Sequence, residues 1–260
     1  MSFRAIILDV GGVLFVTLRP STHAYNQVLR EQGLTARFKA SDIWTLRGYG
    51  PAYRHRDTMA ALYAIACSGR SLPELLKHRQ PEQAIMALRR QYPLSVRRLD
   101  MLTERYKKLR YAKATPLAPN TRKAFQIFKK AGLKIGVFTG SPEQLVKQQL
   151  KKKGVWRWVS AFLSEKTVQP KPSPEGLKRM CVLLKVHPKE VVYVADAWPD
   201  MRAAKKANIG RVYGVCTTQG RCASLKHLQK KSGLPHKVCY TIYQAATDLA
   251  RVMGSYDHHA

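Results

Sequence analysis

From about Thr115 onward, short apolar segments alternate with amphipathic ones, and this alternation constrains the fold of the 260-residue chain more than any other feature. Short apolar runs bounded by glycine, proline or polar residues are typical of buried strands, whereas apolar residues recurring every three or four positions are typical of helices. Predicted strands comprise 134–139, 161–163, 191–195, 212–215 and 238–242. Predicted helices comprise 120–131, 142–153, 173–184, 200–208, 224–231 and 243–253. Repeated strand–helix units predict a parallel sheet covered by helices on both faces.

The amino-terminal segment adds a further strand, and the region after it has a different pattern. Ala5–Leu8 is apolar and is followed by Asp9 and two glycines, which indicates a buried parallel strand that ends in a turn. Between about 17 and 112 the sequence shows helical patterns and no convincing strand. We therefore predict an α/β Rossmannoid core formed by 1–16 and 113–260, with a helical insertion at 17–112.

Several polar side chains come at or just after the ends of the predicted strands. Asp9 follows the first strand, Thr139 ends the second, and Asp196 and Asp200 come after the fourth. Lys171 lies in a proline-rich segment between the third and fourth strands. Because parallel strands bring their carboxyl ends to one edge of a sheet, we expect these five side chains to converge on one pocket.

The residue types in this set suit phosphoryl transfer. A carboxylate such as Asp9 can attack phosphorus and form a covalent aspartyl-phosphate, which splits hydrolysis into two steps. Two further carboxylates, Asp196 and Asp200, can hold Mg²⁺, which usually binds one or two protein carboxylates together with phosphate and water. The hydroxyl of Thr139 can donate to a phosphate oxygen, and the ammonium group of Lys171 can offset the phosphate charge.

Four ordered motifs resemble those of the haloacid dehalogenase superfamily. They are Asp9-Val10-Gly11-Gly12-Val13-Leu14, Val137-Phe138-Thr139-Gly140-Ser141, Lys171-Pro172-Ser173-Pro174-Glu175 and Ala195-Asp196-Ala197-Trp198-Pro199-Asp200. The resemblance covers about 1–16 and 113–215. The insertion at 17–112 occupies the position of the family's helical cap, so the resemblance implies a helical cap domain there.

The resemblance also implies a role for each matching residue. Asp9 would be the nucleophile, Thr139 the phosphate contact and Lys171 the charge stabiliser. The Mg²⁺ site that the resemblance implies consists of Asp9, the backbone carbonyl of Gly11, Asp196 and Asp200.

Gly11 departs from the phosphatase pattern of the family. Phosphatases with similar motifs usually carry a second aspartate at this position, which protonates the leaving group and then activates water. Loss of a positioned general acid or base typically costs about 10²–10⁴-fold in rate. Water, a good leaving group or a cap histidine, His23 or His55, could take over this step. True dehalogenases match less well, because their motif is metal-free whereas Asp196 and Asp200 resemble a metal pair.

The net charge is the second strong constraint. Lys and Arg total 46 against 16 Asp and Glu, which gives a formal net charge of +30 at pH 7 and a pI near 10.3. Self-repulsion of this size works against the compact state unless a polyanion offsets it, which favours contact with RNA or a ribonucleoprotein over a merely solubilising surface. The candidate phosphate contacts are Lys107, Lys108, Lys129, Lys130, Lys151, Lys152 and Lys153.

Two functions of different classes follow from these features. The first is a Mg²⁺-dependent phosphohydrolase for a small phosphorylated substrate, weakened by Gly11 and carrying an RNA-contacting surface. The second is a non-catalytic structural or assembly component of a ribosome or another ribonucleoprotein, for instance a mitochondrial one. The retained carboxylates favour the first, whereas Gly11 and the basic charge favour the second.

Cysteine spacing and hydropathy bear on the compartment. The five cysteines show no C-x-x-C spacing, so we expect reduced thiols in an intracellular compartment, either the cytoplasm or the mitochondrial matrix. No run approaches the roughly 18 apolar residues of a membrane span, so we expect no membrane partner. Because the first strand begins within a few residues of Met1, we also expect no ordinary cleavable presequence.

Overall fold

The computed structural model describes residues 2–48, 54–112, 115–216 and 219–254. The chain divides into a core unit, Met1–Val16 with Pro116–Ala260, and a helical unit, Thr17–Thr115. Lys113, the predicted start of the second core segment, lies outside the described residues. Each unit has an apolar core of its own.

The helical unit contains helices and no strand among its described residues. Its helices are α1 (Leu18–Arg30), α2 (Ala40–Gly48), α3 (His55–Ser68), α4 (Leu72–Lys77), α5 (Pro81–Gln91) and α6 (Val96–Tyr111). Their buried faces meet in a core that includes Tyr25, Leu62 and Tyr106. The helical sequence patterns at 24–31, 58–67, 81–91 and 99–111 predict α1, α3, α5 and α6. They miss α2 and α4, because nine and six residues make too few turns for a helical period to be recognised.

Among the described residues of the core unit, six strands form one sheet. They are β1 (Ala5–Leu8), β2 (Lys134–Thr139), β3 (Val159–Ser164), β4 (Val191–Ala195), β5 (Arg211–Val215) and β6 (Lys237–Cys239). The strand order is β3-β2-β1-β4-β5-β6, and all neighbouring strands are parallel. The α/β fold class predicted from the sequence is therefore confirmed. The strand order reverses at β1, which has β2 on one side and β4 on the other.

Helices cover both faces of this sheet. They are α7 (Thr121–Lys130), α8 (Glu143–Lys152), α9 (Glu175–Leu184), α10 (Trp198–Lys206), α11 (Gln219–Ser232) and α12 (Ile242–Val252). On one face, Phe125 of α7 and Leu249 of α12 belong to the same apolar cluster as Leu8. On the other face, Met180 of α9 shares a cluster with Ile7. Burying each large apolar side chain stabilises the fold by about 1.5–3 kcal/mol, so both faces hold the central strands firmly.

Strand β3 is longer than the apolar run that predicts it. It extends from Val159 to Ser164, whereas the sequence pattern indicates only 161–163. The polar residue Ser160 interrupts the pattern, yet its hydroxyl oxygen accepts a hydrogen bond from the backbone N–H of Ile135 at 3.2 Å. The side chain thus takes part in the pairing with β2 at a point where the register shifts, and periodicity does not reveal this.

The expectation of reduced thiols is wrong for one pair of cysteines. Cys216 and Cys222 form a disulfide, with their Cα atoms 5.1 Å apart. Cys216 directly follows β5 and Cys222 lies in α11, so the return of the chain from strand to helix brings the two together at a spacing wider than C-x-x-C. Cys67, Cys181 and Cys239 are free thiols. None of the described helices combines the length and apolarity that crossing a bilayer requires.

Candidate active site

The carboxyl edge of the sheet gathers polar residues from three adjacent strands. Asp9 follows β1, Thr139 is the last residue of β2, and Asp196 follows β4. All three are buried. The backbone N–H of Asp9 donates to the carbonyl of Val194 at 2.9 Å, which holds the end of β1 against β4. This is the point where the strand order reverses, and open α/β sheets bind their ligands at such points.

Lys171 is the centre of the charged contacts at this edge. Its Nζ lies 2.7 Å from Oδ1 of Asp9 and 2.7 Å from Oδ1 of Asp200. Oε1 of Glu165 is 3.4 Å away, at ion-pair rather than hydrogen-bond distance. The side chain of Lys171 is only 3% exposed, and its ammonium group lies 5.1 Å from the ring centroid of Phe138. The predicted residues Asp9 and Asp200 therefore both contact Lys171 directly.

Asp200 is also held by a residue of the sheet. It lies in the first turn of α10, and its Oδ1 accepts a 2.5 Å hydrogen bond from the hydroxyl of Tyr193 in β4. Asp200 is 1% exposed, so water does not compete for this oxygen. A buried carboxylate needs such partners, because leaving it unpaired would be costly.

The electrostatics of the edge are dominated by carboxylates. Asp9, Asp196, Asp200 and Glu165 account for four of the 16 acidic residues, and Lys171 is the cation among them. Burial raises the pKa of Asp9, the ammonium of Lys171 opposes this, and the result is a pKa of about 6. Burial alone would lower the pKa of Lys171, but Asp200 and Asp9 raise it well above its ordinary value. At neutral pH Lys171 is therefore charged and Asp9 is mainly ionised.

Thr139 lies at the predicted place, and its hydroxyl has a local role. Its Oγ1 accepts a hydrogen bond from the backbone N–H of Ser141 at 3.0 Å, which shapes the turn after β2. The hydroxyl hydrogen remains available to donate to a ligand oxygen. Gly140, between them, makes room for Glu165, because a Cβ at this position would lie 2.7 Å from Oε2 of Glu165.

The donor atoms at this edge suit Mg²⁺, which prefers hard oxygen ligands. The predicted donors are the carboxylates of Asp9, Asp196 and Asp200 and the carbonyl of Gly11, and these three buried carboxylates outnumber the ammonium of Lys171. In the part of the chain that the structure describes, no three His, Cys, Asp or Glu side chains are already arranged around a metal position. Lys171 instead draws two of the carboxylates to itself. The donor chemistry therefore fits Mg²⁺, and the coordination stays a prediction.

The two histidines considered as replacements for the missing acid lie in the helical unit. His55, the first residue of α3, is half-buried, and a 2.7 Å hydrogen bond joins its Nδ1 to the hydroxyl of Tyr25. Burial holds the pKa of His55 well below its ordinary value, with Arg47 adding to the effect. His55 is therefore neutral at pH 7. His23 is exposed on α1. A catalytic part for either histidine stays a prediction.

The lysines predicted to contact RNA are exposed and are divided between the two units. Those of the core unit, at or just after the ends of α7 and α8, are Lys129, Lys130, Lys151, Lys152 and Lys153. Lys107 and Lys108 lie on α6 of the helical unit, where the ammonium of Lys107 is 2.5 Å from a carboxylate oxygen of Glu104. Several of these lysines are near helix C-termini, where a cation also favours the helix dipole.

Two residues of the site are missing from the sequence prediction. Glu165 directly follows β3, so the argument from strand ends would have found it if that strand had been extended to Ser164. Tyr193 lies inside the apolar run of β4, where a tyrosine is normally interpreted as a residue that packs in the core. A hydroxyl in the middle of a fully buried strand was the available signal, since such a group needs a hydrogen-bond partner.

The sequence profile of haloacid dehalogenase-like hydrolases matches residues 3–208. The profile therefore spans β1, the helical insertion and the strands that carry Asp9, Thr139 and Asp196. The chain belongs to this family of hydrolases, as the four sequence motifs predict.

Curated relatives match over part of their length. A phosphorylated carbohydrates phosphatase of Thermotoga maritima is 28% identical over 98 residues, which are 37% of this chain and 45% of the relative. A phosphoglycolate phosphatase of Salmonella typhimurium is 29% identical over 123 residues, which are 46% of this chain and 49% of the relative. The chain thus spans about half the length of these relatives.

Solved structures share the fold over nearly the whole chain. A predicted phosphoglycolate phosphatase from Haemophilus somnus superposes with a TM-score of 0.68 at 19% identity, covering 96% of this chain and 99% of that one. CbbY from Rhodobacter sphaeroides, solved in complex with phosphate, superposes with a TM-score of 0.60 at 19% identity, covering 95% and 99%. At these identities the likeness concerns the fold alone.

Proposed function

We propose that the protein is a Mg²⁺-dependent phosphatase that hydrolyses small phosphomonoesters through an aspartyl-phosphate on Asp9. The observation that carries the proposal is the buried 2.7 Å ion pair between Nζ of Lys171 and Oδ1 of Asp9 at the point where the strand order reverses. An oriented carboxylate beside a fixed ammonium group suits attack on a negatively charged phosphoryl group. The similarity to curated phosphatases supports phosphomonoesters as the substrate class.

The reaction proceeds in two displacements at phosphorus. In the first, a carboxylate oxygen of Asp9 bonds to phosphorus while the ester P–O bond breaks, and the leaving group takes the electron pair. In the second, water attacks phosphorus and passes a proton to the solvent, while the bond between phosphorus and the Asp9 oxygen breaks, so that inorganic phosphate leaves and Asp9 is again a carboxylate. Lys171 holds Asp9 in its ionised form and offsets charge on the phosphoryl oxygens. The hydroxyl of Thr139 would donate to one of those oxygens.

Mg²⁺ would supply further positive charge to the phosphoryl group when bound. Asp9, Asp196 and the carbonyl of Gly11 would hold it. Asp200 would join them through its second carboxylate oxygen, because Oδ1 already contacts Lys171 and Tyr193.

Gly11 limits the rate with ordinary alkyl esters. It places no carboxyl group where the family's phosphatases usually carry one, so this position cannot protonate the leaving oxygen. Without this proton transfer, hydrolysis of such an ester should be about 10²–10⁴-fold slower than in a site with a positioned general acid. Esters whose leaving group is stable as an anion avoid most of this loss.

An aryl phosphate tests the proposal, because its leaving group needs little protonation. The wild-type protein should release phosphate slowly with Mg²⁺ and stop when a chelator removes the metal. Asp9→Asn should reduce the activity to background, whereas Asp42→Asn in the helical unit serves as a matched control and should keep it. Full activity in Asp9→Asn would contradict the proposal. A comparison of phosphoglycolate with phosphorylated sugars would then narrow the substrate.

The alternative of a non-catalytic ribonucleoprotein component rests on Gly11 and on the net charge of +30. The relatives reported above are phosphatases and lend it no support, and they say nothing of a mitochondrial location. Both stay predictions. Sedimentation of a native extract tests them, since co-migration with a large RNA-containing particle would favour the alternative.

A further inference from the structure

We infer that a basic groove on the core unit binds a segment of single-stranded nucleic acid. The groove, here called the α7–α12 groove, has a volume of about 430 Å³. The residues that form it include Lys123, Ile127, Lys129, Lys130, Trp158 and Tyr243. Helices α7 and α12 pack side by side, and Trp158 ends the 3₁₀ turn before β3. The inference does not depend on the proposed phosphatase activity.

Among the described residues, nothing offsets the charge in the groove. Lys123, Lys129 and Lys130 are exposed, and none of the described residues that line the groove carries a carboxylate. Among the described ion pairs of the chain, none includes these three lysines. The helix dipole accounts for Lys129 and Lys130 at the end of α7, but it disfavours Lys123 in the first turn. A lysine there is better explained by a bound anion.

Two aromatic rings in the groove distinguish nucleic acid from other polyanions. Trp158 and Tyr243 are half-buried, so each ring is supported by the protein and keeps an accessible part. Trp158 rests against Phe125, with 6.1 Å between the ring centroids, which holds the indole in place. Every base has a π-face that can stack on such a ring, and lysines can contact the phosphates between stacked bases. An acidic peptide would use the lysines alone, so the rings favour nucleic acid.

Lys129 and Lys130, at the end of α7, lie at the opposite edge of the sheet from the candidate active site. Lys130 ends α7, and the chain then enters β2 at Lys134, which is the amino edge. Asp9 and Thr139 lie at the carboxyl edge. None of the described residues that line the groove belongs to the candidate active site, so variants of the groove should leave hydrolysis of an aryl phosphate unchanged.

Fluorescence anisotropy on the full chain tests the inference. The probes are labelled oligouridylate and oligothymidylate of about ten nucleotides, within the roughly 4–16 that such grooves span, with 5′-hydroxyl ends. The groove variant is Lys123→Glu with Lys129→Glu and Lys130→Glu. The matched control reverses the same number of charges at Lys151, Lys152 and Lys153, which lie at the end of α8. We expect the groove variant to lose at least tenfold more affinity than the control. The slope of log affinity against log salt concentration should also fall in magnitude by about 2, because each of the three lost phosphate contacts contributes roughly 0.7.

Stacking of bases on the aromatic rings needs a separate test. The substitution Trp158→Leu is unsuitable, because it also removes the packing of the indole ring on Phe125. Photo-crosslinking of wild-type protein to a 4-thiouridine oligonucleotide avoids this, and adducts should map to peptides containing Trp158 or Tyr243. Tighter binding of oligouridylate than of oligothymidylate would identify RNA as the ligand. Equal binding would show that the groove accepts single-stranded RNA and DNA alike.

Four results would overturn the inference. Equal affinity losses in the groove variant and the Lys151–Lys153 control would show that the overall positive charge of the protein, and not the groove, binds the oligonucleotide. If polyglutamate competes as strongly as unlabelled oligonucleotide, the ligand of the groove would be an acidic protein instead. Adducts only outside the groove, or salt-insensitive binding, would exclude the groove as the nucleic-acid site.

Discussion

The hydroxyl of Tyr193 donates a 2.5 Å hydrogen bond to Oδ1 of Asp200, the same oxygen that lies 2.7 Å from Nζ of Lys171. Tyr193 belongs to the central strand β4 and Asp200 to the first turn of α10, so the bond ties a helix to the sheet. Because Lys171 in turn contacts Asp9, Tyr193 helps to position the proposed nucleophile indirectly, through Asp200 and Lys171.

Replacing Tyr193 with phenylalanine removes this bond and keeps the ring. A hydrogen bond to a charged acceptor contributes about 1.5–3 kcal/mol, so Tyr193→Phe should lower the free energy of unfolding by about that amount. Denaturation in urea measures it. The control is Tyr240→Phe, at a position 56% exposed, which should change stability by less than about 0.5 kcal/mol. If positioning through Lys171 matters, Tyr193→Phe should also lower kcat more than it changes KM. Wild-type stability and kcat in Tyr193→Phe would contradict both effects.

Gly11→Asp should restore the proton transfer that the wild-type site lacks. The φ angle of Gly12 is +82°, which favours glycine there, whereas Gly11 does not adopt a left-handed conformation, so its backbone suits residues with a side chain. We expect a gain of about 10²-fold or more on an alkyl phosphate and a smaller gain on an aryl phosphate. Steady-state kinetics measure both. Gly11→Asn has the same size without a titrating carboxyl group, and an equal gain in this control would rule out acid–base catalysis as the cause.

Asp248 predicts an acid dependence of stability. Burial raises the pKa of Asp248, but the bonds from Lys237 and Tyr213 outweigh it and hold the pKa below its ordinary value of 3.8. A lowered pKa means that the stabilisation is complete above the unfolded-state pKa and is lost as the pH falls through the folded-state pKa. Wild type should therefore lose stability more steeply than Asp248→Asn below about pH 5. Thermal unfolding across this range measures the difference, and parallel curves would refute it.

Gly176→Ala should disturb the apolar floor of the site. A Cβ at this position would lie 2.1 Å from Cζ of Phe138, whose ring lies 5.1 Å from Nζ of Lys171. Overpacking of this kind costs about 1–3 kcal/mol, because the ring or the helix must shift. Urea denaturation should show this loss. Val182→Ala, on an exposed face of the same helix, should have a much smaller effect. Equal stability of Gly176→Ala and wild type would show that the ring moves without cost.

Much of the candidate site follows from local sequence signals. Asp9, Thr139 and Asp196 are recognisable because each comes at or after the end of an apolar run, and parallel pairing carries such ends to one edge. The pairing of Lys171 with Asp9 is less local, since 162 positions separate them. The place of Lys171 between the third and fourth predicted strands put it in the predicted pocket, and the motif resemblance gave it the role of charge stabiliser.

The sequence by itself determined the elements whose apolar pattern is strong: the central strands, the helices around them and the helical insertion. Local periodicity suffices there, because burial of one face or of a whole strand depends on the spacing of apolar residues. Tertiary structure alone decided that Tyr193 and Glu165 join the site, that Cys216 pairs with Cys222, and that Lys123 shares a groove with Trp158. These contacts depend on how elements distant along the chain pack and on the direction in which each side chain leaves its backbone, and no local pattern encodes either.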